Sequence, residues 1–268
     1  LIEQNFGKYE STPRDGKEFA QAKTHFLEHY DGGETMFHVA QRVYNLLDDY
    51  YIFVGRRDSM ITVYKHIEEE LVSDSTVSDA TKGSWVNLVN PDPDELSLIN
   101  ILTEIPTDVL KTALDMEERS HVELEDNYIF IVINIPVIRG NDMYDTVPLG
   151  IFLTPDFFIT ICLEESEVLY PFISNQISTF YTYKKTRFLF QILYRTATMF
   201  LRYLQQINRR TDDIEIQLRH TTKNKDFFQL LELQKSMTYF TSALRTNGTV
   251  MERLLRLRGH SSYKHLLK

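Results

Sequence analysis

One cysteine in 268 residues, Cys162, excludes an intramolecular disulfide framework and any cysteine-based zinc site, and it favours a reducing compartment. Long apolar runs are missing too. The most apolar stretches, Tyr128–Ile138 and Leu149–Leu163, are broken by polar residues or proline. Neither reaches the roughly 18 consecutive apolar residues of a membrane helix, so no segment spans a bilayer unaided. No Gly-x-Ser-x-Gly, Gly-x4-Gly-Lys or Gly-x-Gly-x-x-Gly motif occurs. Hydrolase and nucleotide-loop chemistry have no anchor, and the chain reads as a non-enzyme. Leu1–Gly16 is polar and mixed in charge, unlike a signal peptide. With Leu rather than Met at its start, the chain reads as a piece of a longer polypeptide.

What is present is ordinary globular composition, 43% hydrophobic and 25% charged, but unevenly spread. All eight prolines lie at or before Pro171. Residues 1–171 carry 12 basic and 32 acidic side chains; residues 172–268 carry 17 basic and 6 acidic. The second part has no proline and only Gly248 and Gly259, so it can support long helices. Its basic charge suits either phosphate binding or the solvation of those helices. With no zinc-finger spacing or aromatic RNA-binding motif beside it, no nucleic-acid partner is expected.

Residues 18–30 and 34–49 read as helices, and 50–54 as a strand. Met60–Tyr64 opens a new strand, and Gly83–Asn90, with Trp85 inside, reads as another. Asp92 or Asp94 caps a helix running to about Leu102. Thr107 caps the next, through Val109, Leu110 and Leu114. Strands follow at His121–Glu125, Tyr128–Pro136, Val147–Leu153 and Phe157–Leu163, the last two forming an antiparallel hairpin across Thr154-Pro155-Asp156. A mixed sheet with packed helices results. Two heptad seams then appear. Leu193, Phe200, Ile207 and Ile214 run beside Phe190, Ala197, Leu204, Thr211 and Leu218; Leu230, Met237, Leu244 and Met251 run beside Leu233, Phe240, Asn247 and Leu254. They predict an antiparallel hairpin about 50 Å long that packs on itself, with Asn247 either fixing register or lying at a frayed end.

Chemistry-bearing residues are few. His25 and His29 share a helical face but lack the Glu of a zinc-protease helix. Cys162, between Ile161 and Leu163, reads as a buried thiol. Asp115, Glu117 and Glu118, followed by Glu123, Glu125 and Asp126, supply the hard oxygen atoms that suit Mg²⁺ or Ca²⁺. The same carboxylates equally suit a solvated acidic turn, because alternating side chains cannot all converge.

Ile105-Pro106, Leu110, Ala113-Leu114-Asp115-Met116-Glu117-Glu118-Arg119, Val122-Glu123 and Glu125–Ile131 together resemble the cytoplasmic domain of the CorA-type magnesium and cobalt transporters. Trp85-Val86-Asn87-Leu88, Pro148-Leu149-Gly150, Leu153–Thr160 and Tyr183–Arg187 resemble further pieces of that family in the same order, from Met60 to the end. The resemblance implies an αβα sandwich with a mixed sheet at 60–180 and a long antiparallel helical hairpin at 181–268. That hairpin leads toward a stalk and membrane region outside this chain; residues 1–59 are an extension with no counterpart. It further implies a homopentamer in the cell membrane, this portion facing the cytoplasm, with Gly-Met-Asn at the pore mouth. Mg²⁺ between neighbouring domains then holds the pore closed. Thr112 stands where some relatives place an acid, which leaves Asp115, Glu117 and Glu118 as the candidate metal residues. The hairpin, often acidic in relatives, is basic here. Two readings remain open beside this one: a zinc-transporting member of the family, and a soluble interaction module using the basic hairpin.

Overall fold

The computed structural model describes residues 61–74, 77, 80–139, 143–220 and 224–257, all in one compact unit spanning 59–268. The helices and strand read within residues 18–54, with His25 and His29, lie outside the described residues.

Among the described residues seven strands form one sheet: β1 (Ile61–Ile67), β2 (Glu70–Asp74), β3 (Trp85–Val89), β4 (His121–Leu124), β5 (Ile129–Arg139), β6 (Met143–Leu153) and β7 (Phe158–Cys162). Their spatial order is β2-β1-β3-β7-β6-β5-β4. Among the described residues only β3 and β7 pair in parallel, so the sheet is mixed as expected. β6 and β7 are the antiparallel hairpin expected across Thr154–Asp156. The central strands are apolar on both faces because helices cover both. Along β5, Ile129, Ile131, Ile133 and Ile135 enter one core while Phe130 and Val132 enter the other. β3 shows the same double burial. Its Asn87, only 4% exposed, accepts from the Thr160 hydroxyl (2.7 Å), which in turn accepts from Trp85 Nε1 (2.8 Å).

One core lies under α1 (Pro93–Thr103) and α2 (Thr107–Thr112). The other lies under the short α3 (Tyr170–Ile173) and the long helices α4 (Lys185–His220) and α5 (Asn224–Leu257). The result is an αβα sandwich carrying a helical hairpin. Asp92 caps α1 in full: its carboxylate accepts from the Asp94 and Glu95 amides, while Glu95 reaches back to the Asp92 amide. α4 starts on a buried Lys185, whose ammonium donates to the Thr154 and Pro155 carbonyls at 2.6 and 3.0 Å. Burial pushes that amine down to about 8.

Three expectations need correction, and one strand goes beyond them. Thr107 does not cap α2. It is the first helical residue, Pro106 occupies the cap position without a side-chain bond, and the helix ends at Thr112, leaving Leu114 in the following turn. β2 is an additional strand: Glu70–Asp74 has no apolar alternation because it is an edge strand, with Val72 45% exposed. The hairpin does not pack only on itself, since α5 runs along β4, β5 and β6 and α4 along β5. The seams shift accordingly. Leu193, Phe200, Ile207 and Ile214 are buried, but their companions are Leu189, Thr196 and Tyr203 rather than the Ala197 row. On α5 the row Leu233, Phe240, Asn247 and Leu254 is buried beside Ser236, Ala243, Val250 and Leu257, while Met237, Leu244 and Met251 lie on an exposed flank.

Candidate functional site

The acidic candidates sit where α2 ends over the sheet. Ala113, the last cap of that helix, rests on Gly150 of β6, and a Cβ at Gly150 would come within 2.3 Å of the Ala113 Cβ. This close approach fixes where the next residues emerge. The backbone then coils through short turns: Leu114 N–H donates to Lys111 O (2.9 Å), Asp115 N–H to Thr112 O (3.2 Å) and Glu118 N–H to Asp115 O (3.0 Å). Asp115 Oδ1 also accepts from the Glu117 amide at 2.9 Å, an Asx turn. The hydroxyl of Thr112 bonds back to Asp108 O at 3.1 Å.

Asp115 and Glu117 are exposed and Glu118 is half-buried. Glu118 is committed elsewhere. Its Oε1 accepts from the Arg119 amide (3.1 Å) and lies 3.3 Å from His121 Nδ1. His121 Nδ1 is 2.8 Å from the Arg119 carbonyl, which can only accept, so Nδ1 carries the proton. Nε2 faces Glu123 Oε1 at 3.4 Å, and the ring stands edge-on to Phe130. Glu125 and Asp126 belong to the turn at the other end of β4, where the Glu125 amide donates to Tyr128 O. Asp115, Glu117 and Glu118 therefore lie before β4, Glu123 within it, and Glu125 and Asp126 beyond its other end. Among the described residues, no three His, Cys, Asp or Glu side chains come together to hold a metal ion.

Behind the turn lies a buried polar cluster. Asn247 of α5, 9% exposed, accepts at Oδ1 from the Asn134 amide (2.9 Å) and the Ser120 hydroxyl (2.7 Å). Its Nδ2 donates to Asn134 O at 2.8 Å. Asn134 Nδ2 donates to Ser120 Oγ (3.0 Å) and lies 3.4 Å from Glu118 O. The Thr246 hydroxyl adds a bond to Ser120 at 3.1 Å. Asn247 therefore fixes α5 to the sheet and is not at a frayed end. Sequence reasoning missed Asn134, Ser120 and His121. A signal for the first was available: Asn134 is the lone polar residue in Ile129–Ile138, and a buried amide requires partners.

Cys162 is buried, as expected, with its thiol pushed up to about 11 by burial and its Sγ 3.5 Å from Pro148 O. Among the described residues no helix is long and apolar enough to cross a membrane.

A mixed sheet sandwiched by helices and followed by a long hairpin defines an αβα domain with a helical arm. A family model described as "CorA-like Mg2+ transporter protein" matches residues 81–267, and the chain belongs to that family. It is 22% identical over 181 residues to the cobalt/magnesium transport protein CorA of Methanocaldococcus jannaschii, covering 64% of this chain and 55% of that protein. The chain thus spans about half the length of that curated relative. The fold resembles the soluble domain of CorA from M. jannaschii (TM-score 0.65, 21% identity, 76% of this chain and 82% of that one). It also resembles the ZntB cytoplasmic domain from Vibrio parahaemolyticus (TM-score 0.58, 13% identity, 75% and 81%).

Proposed function

We propose that this chain is the cytoplasmic regulatory part of a membrane transporter for divalent cations, with Mg²⁺ or Co²⁺ as the cargo, and that it works within a homopentamer. The observation that carries the reading is the family match across 81–267, which includes both the acidic turn and the hairpin. Residues 60–180 act as the sensing sandwich and 181–268 as the arm leading toward the membrane region; residues 1–59 are an extension to them.

Sensing falls to the turn after α2. Asp115 and Glu117 are exposed carboxylates on one short turn, held apart from the Glu118–His121 contacts. Mg²⁺ keeps several waters and takes one or two carboxylates, so such a pair suits it without a closed cage. Glu118 is the weaker candidate because its carboxylate already serves Arg119. Across a subunit interface, carboxylates repel until a divalent ion neutralises them, and ion occupancy then biases how subunits pack.

Calorimetric titration of the chain with MgCl₂ tests this. Weak binding, on the order of millimolar, is expected for so hydrated a site. Asp115→Ala should abolish most of the heat, and unchanged binding removes Asp115 from the site. Parallel titration with ZnCl₂ separates the zinc-transporting reading: tight Zn²⁺ uptake with no Mg²⁺ heat would replace Mg²⁺ as the sensed ion.

A further inference from the structure

β4 stops one step early, and a side chain finishes it. The register pairs His121 with Val132 and Glu123 with Phe130, so Arg119 would lie opposite Asn134 if the strand continued. On this edge the even-numbered β5 residues point their N–H and C=O toward β4. Those of Asn134 go to the Asn247 amide instead, which accepts from one and donates to the other as a strand residue would, with Ser120 Oγ a second, longer acceptor for the N–H at 3.2 Å. Arg119 is meanwhile turned away by its neighbours: its N–H donates to Glu118 Oε1, and its C=O accepts from His121 Nδ1.

We propose that the Asn134 backbone is a socket with two mutually exclusive occupants, the Asn247 side chain and the Arg119 main chain, and that the Glu118 carboxylate decides between them. With Glu118 on the Arg119 amide, Asn247 fills the socket and α5 is latched to the sheet. When the carboxylate is withdrawn, the exposed Arg119 amide is freed to pair, and the Asn134 carbonyl is the protein acceptor in register. β4 then grows by two residues and Asn247 is displaced. A displaced amide inside the row Leu233, Phe240 and Leu254 is unpaired, so α5 must shift to hydrate it. Asn247 lies ten residues before Leu257, about 15 Å along the helix, so the shift reaches the far end of α5. Asn247 is a positioning residue in this device. The link to a cation, which would withdraw Glu118 by binding at the acidic turn, rests on the function proposed above.

Residue-resolved amide hydrogen exchange on this chain tests the socket, with Ile131 as an internal control for folding. In Glu118→Ala, the Arg119 amide should exchange about tenfold more slowly as it enters the ladder. Faster exchange there, the result of simply losing an acceptor, overturns the proposal. In the double variant Asn247→Ala/Ser120→Ala, which removes both present acceptors, the Asn134 amide should stay protected because Arg119 replaces them. A tenfold or greater loss of protection at Asn134 overturns it. MgCl₂ added to the parent chain should reproduce the Glu118→Ala pattern. If both variants behave as expected and MgCl₂ changes nothing, the socket stands and its control by a cation is refuted.

Discussion

His66 joins the β1–β2 edge to the segment before α4 through two bonds. Its N–H donates to Thr182 Oγ1 (3.2 Å), and its Nδ1 accepts from the Thr182 amide (3.1 Å). Nδ1 must therefore be bare, and burial pushes the imidazole below its ordinary 6.5. The unfolded chain takes up this proton at higher pH than the folded one. The neutral ring thus stabilises the fold above about pH 6.5, and that contribution is lost as pH falls below it. Urea midpoints at pH 7.5 and 5.5 check this. His66→Asn, whose Oδ1 can accept from Thr182 without titrating, should show a smaller drop than the parent; an equal drop would assign the acid sensitivity to other groups. At this scale the sequence was readable where chemistry is local. The Asp92 cap and the buried Cys162 followed from adjacent residues. The Asn134–Asn247 pairing did not, because its members are 113 residues apart and only the fold brings them together.

Among elements, the contact of α2 with the sheet decides where the acidic turn is displayed. Gly150 serves there as empty space, since its missing Cβ is where Ala113 sits. Gly150→Ala should overpack this contact and destabilise the chain by about 1–3 kcal/mol, read as a lower denaturant midpoint. It should also speed amide exchange at Glu117 and Glu118 more than in β1, whereas a uniform change would mean that α2 does not set the turn. Strand and helix positions were largely legible because apolar period and turn residues are local signals. The helix faces were less so. A heptad count locates an apolar stripe but cannot tell a neighbouring helix from a sheet. Packing on the sheet buries the α5 face that carries Ser236, Ala243 and Val250, small residues that an apolar count weighs lightly or skips. Met237, Leu244 and Met251, the larger residues, were left outside.

The whole molecule separates its charge along the chain. Residues 60–171 hold 5 basic and 22 acidic side chains, against 17 and 6 after them. On α4, Arg187, Arg202 and Arg209 are exposed. Opposite fields on one body attract a second copy weakly at long range and are screened within about 8 Å at physiological salt. Sedimentation velocity should therefore find the chain monomeric or weakly associated at 150 mM salt as a rough working value. Lowering the salt several-fold should strengthen the association, and salt-independent behaviour would point to an apolar contact instead. The sandwich was legible at this scale through the order of its motifs. The partner's side of the proposed cation site was not, because a single chain contains only one side of any such contact.

Trp85 is the sole tryptophan, fully enclosed, with its indole N–H on Thr160 and its ring 4.9 Å from Phe188 at the start of α4. The protein thus carries its own optical gauge. Excited at the indole band, it should emit in the blue while α4 stays seated, and a red-shifted spectrum would mark the moment water reaches the root of the arm.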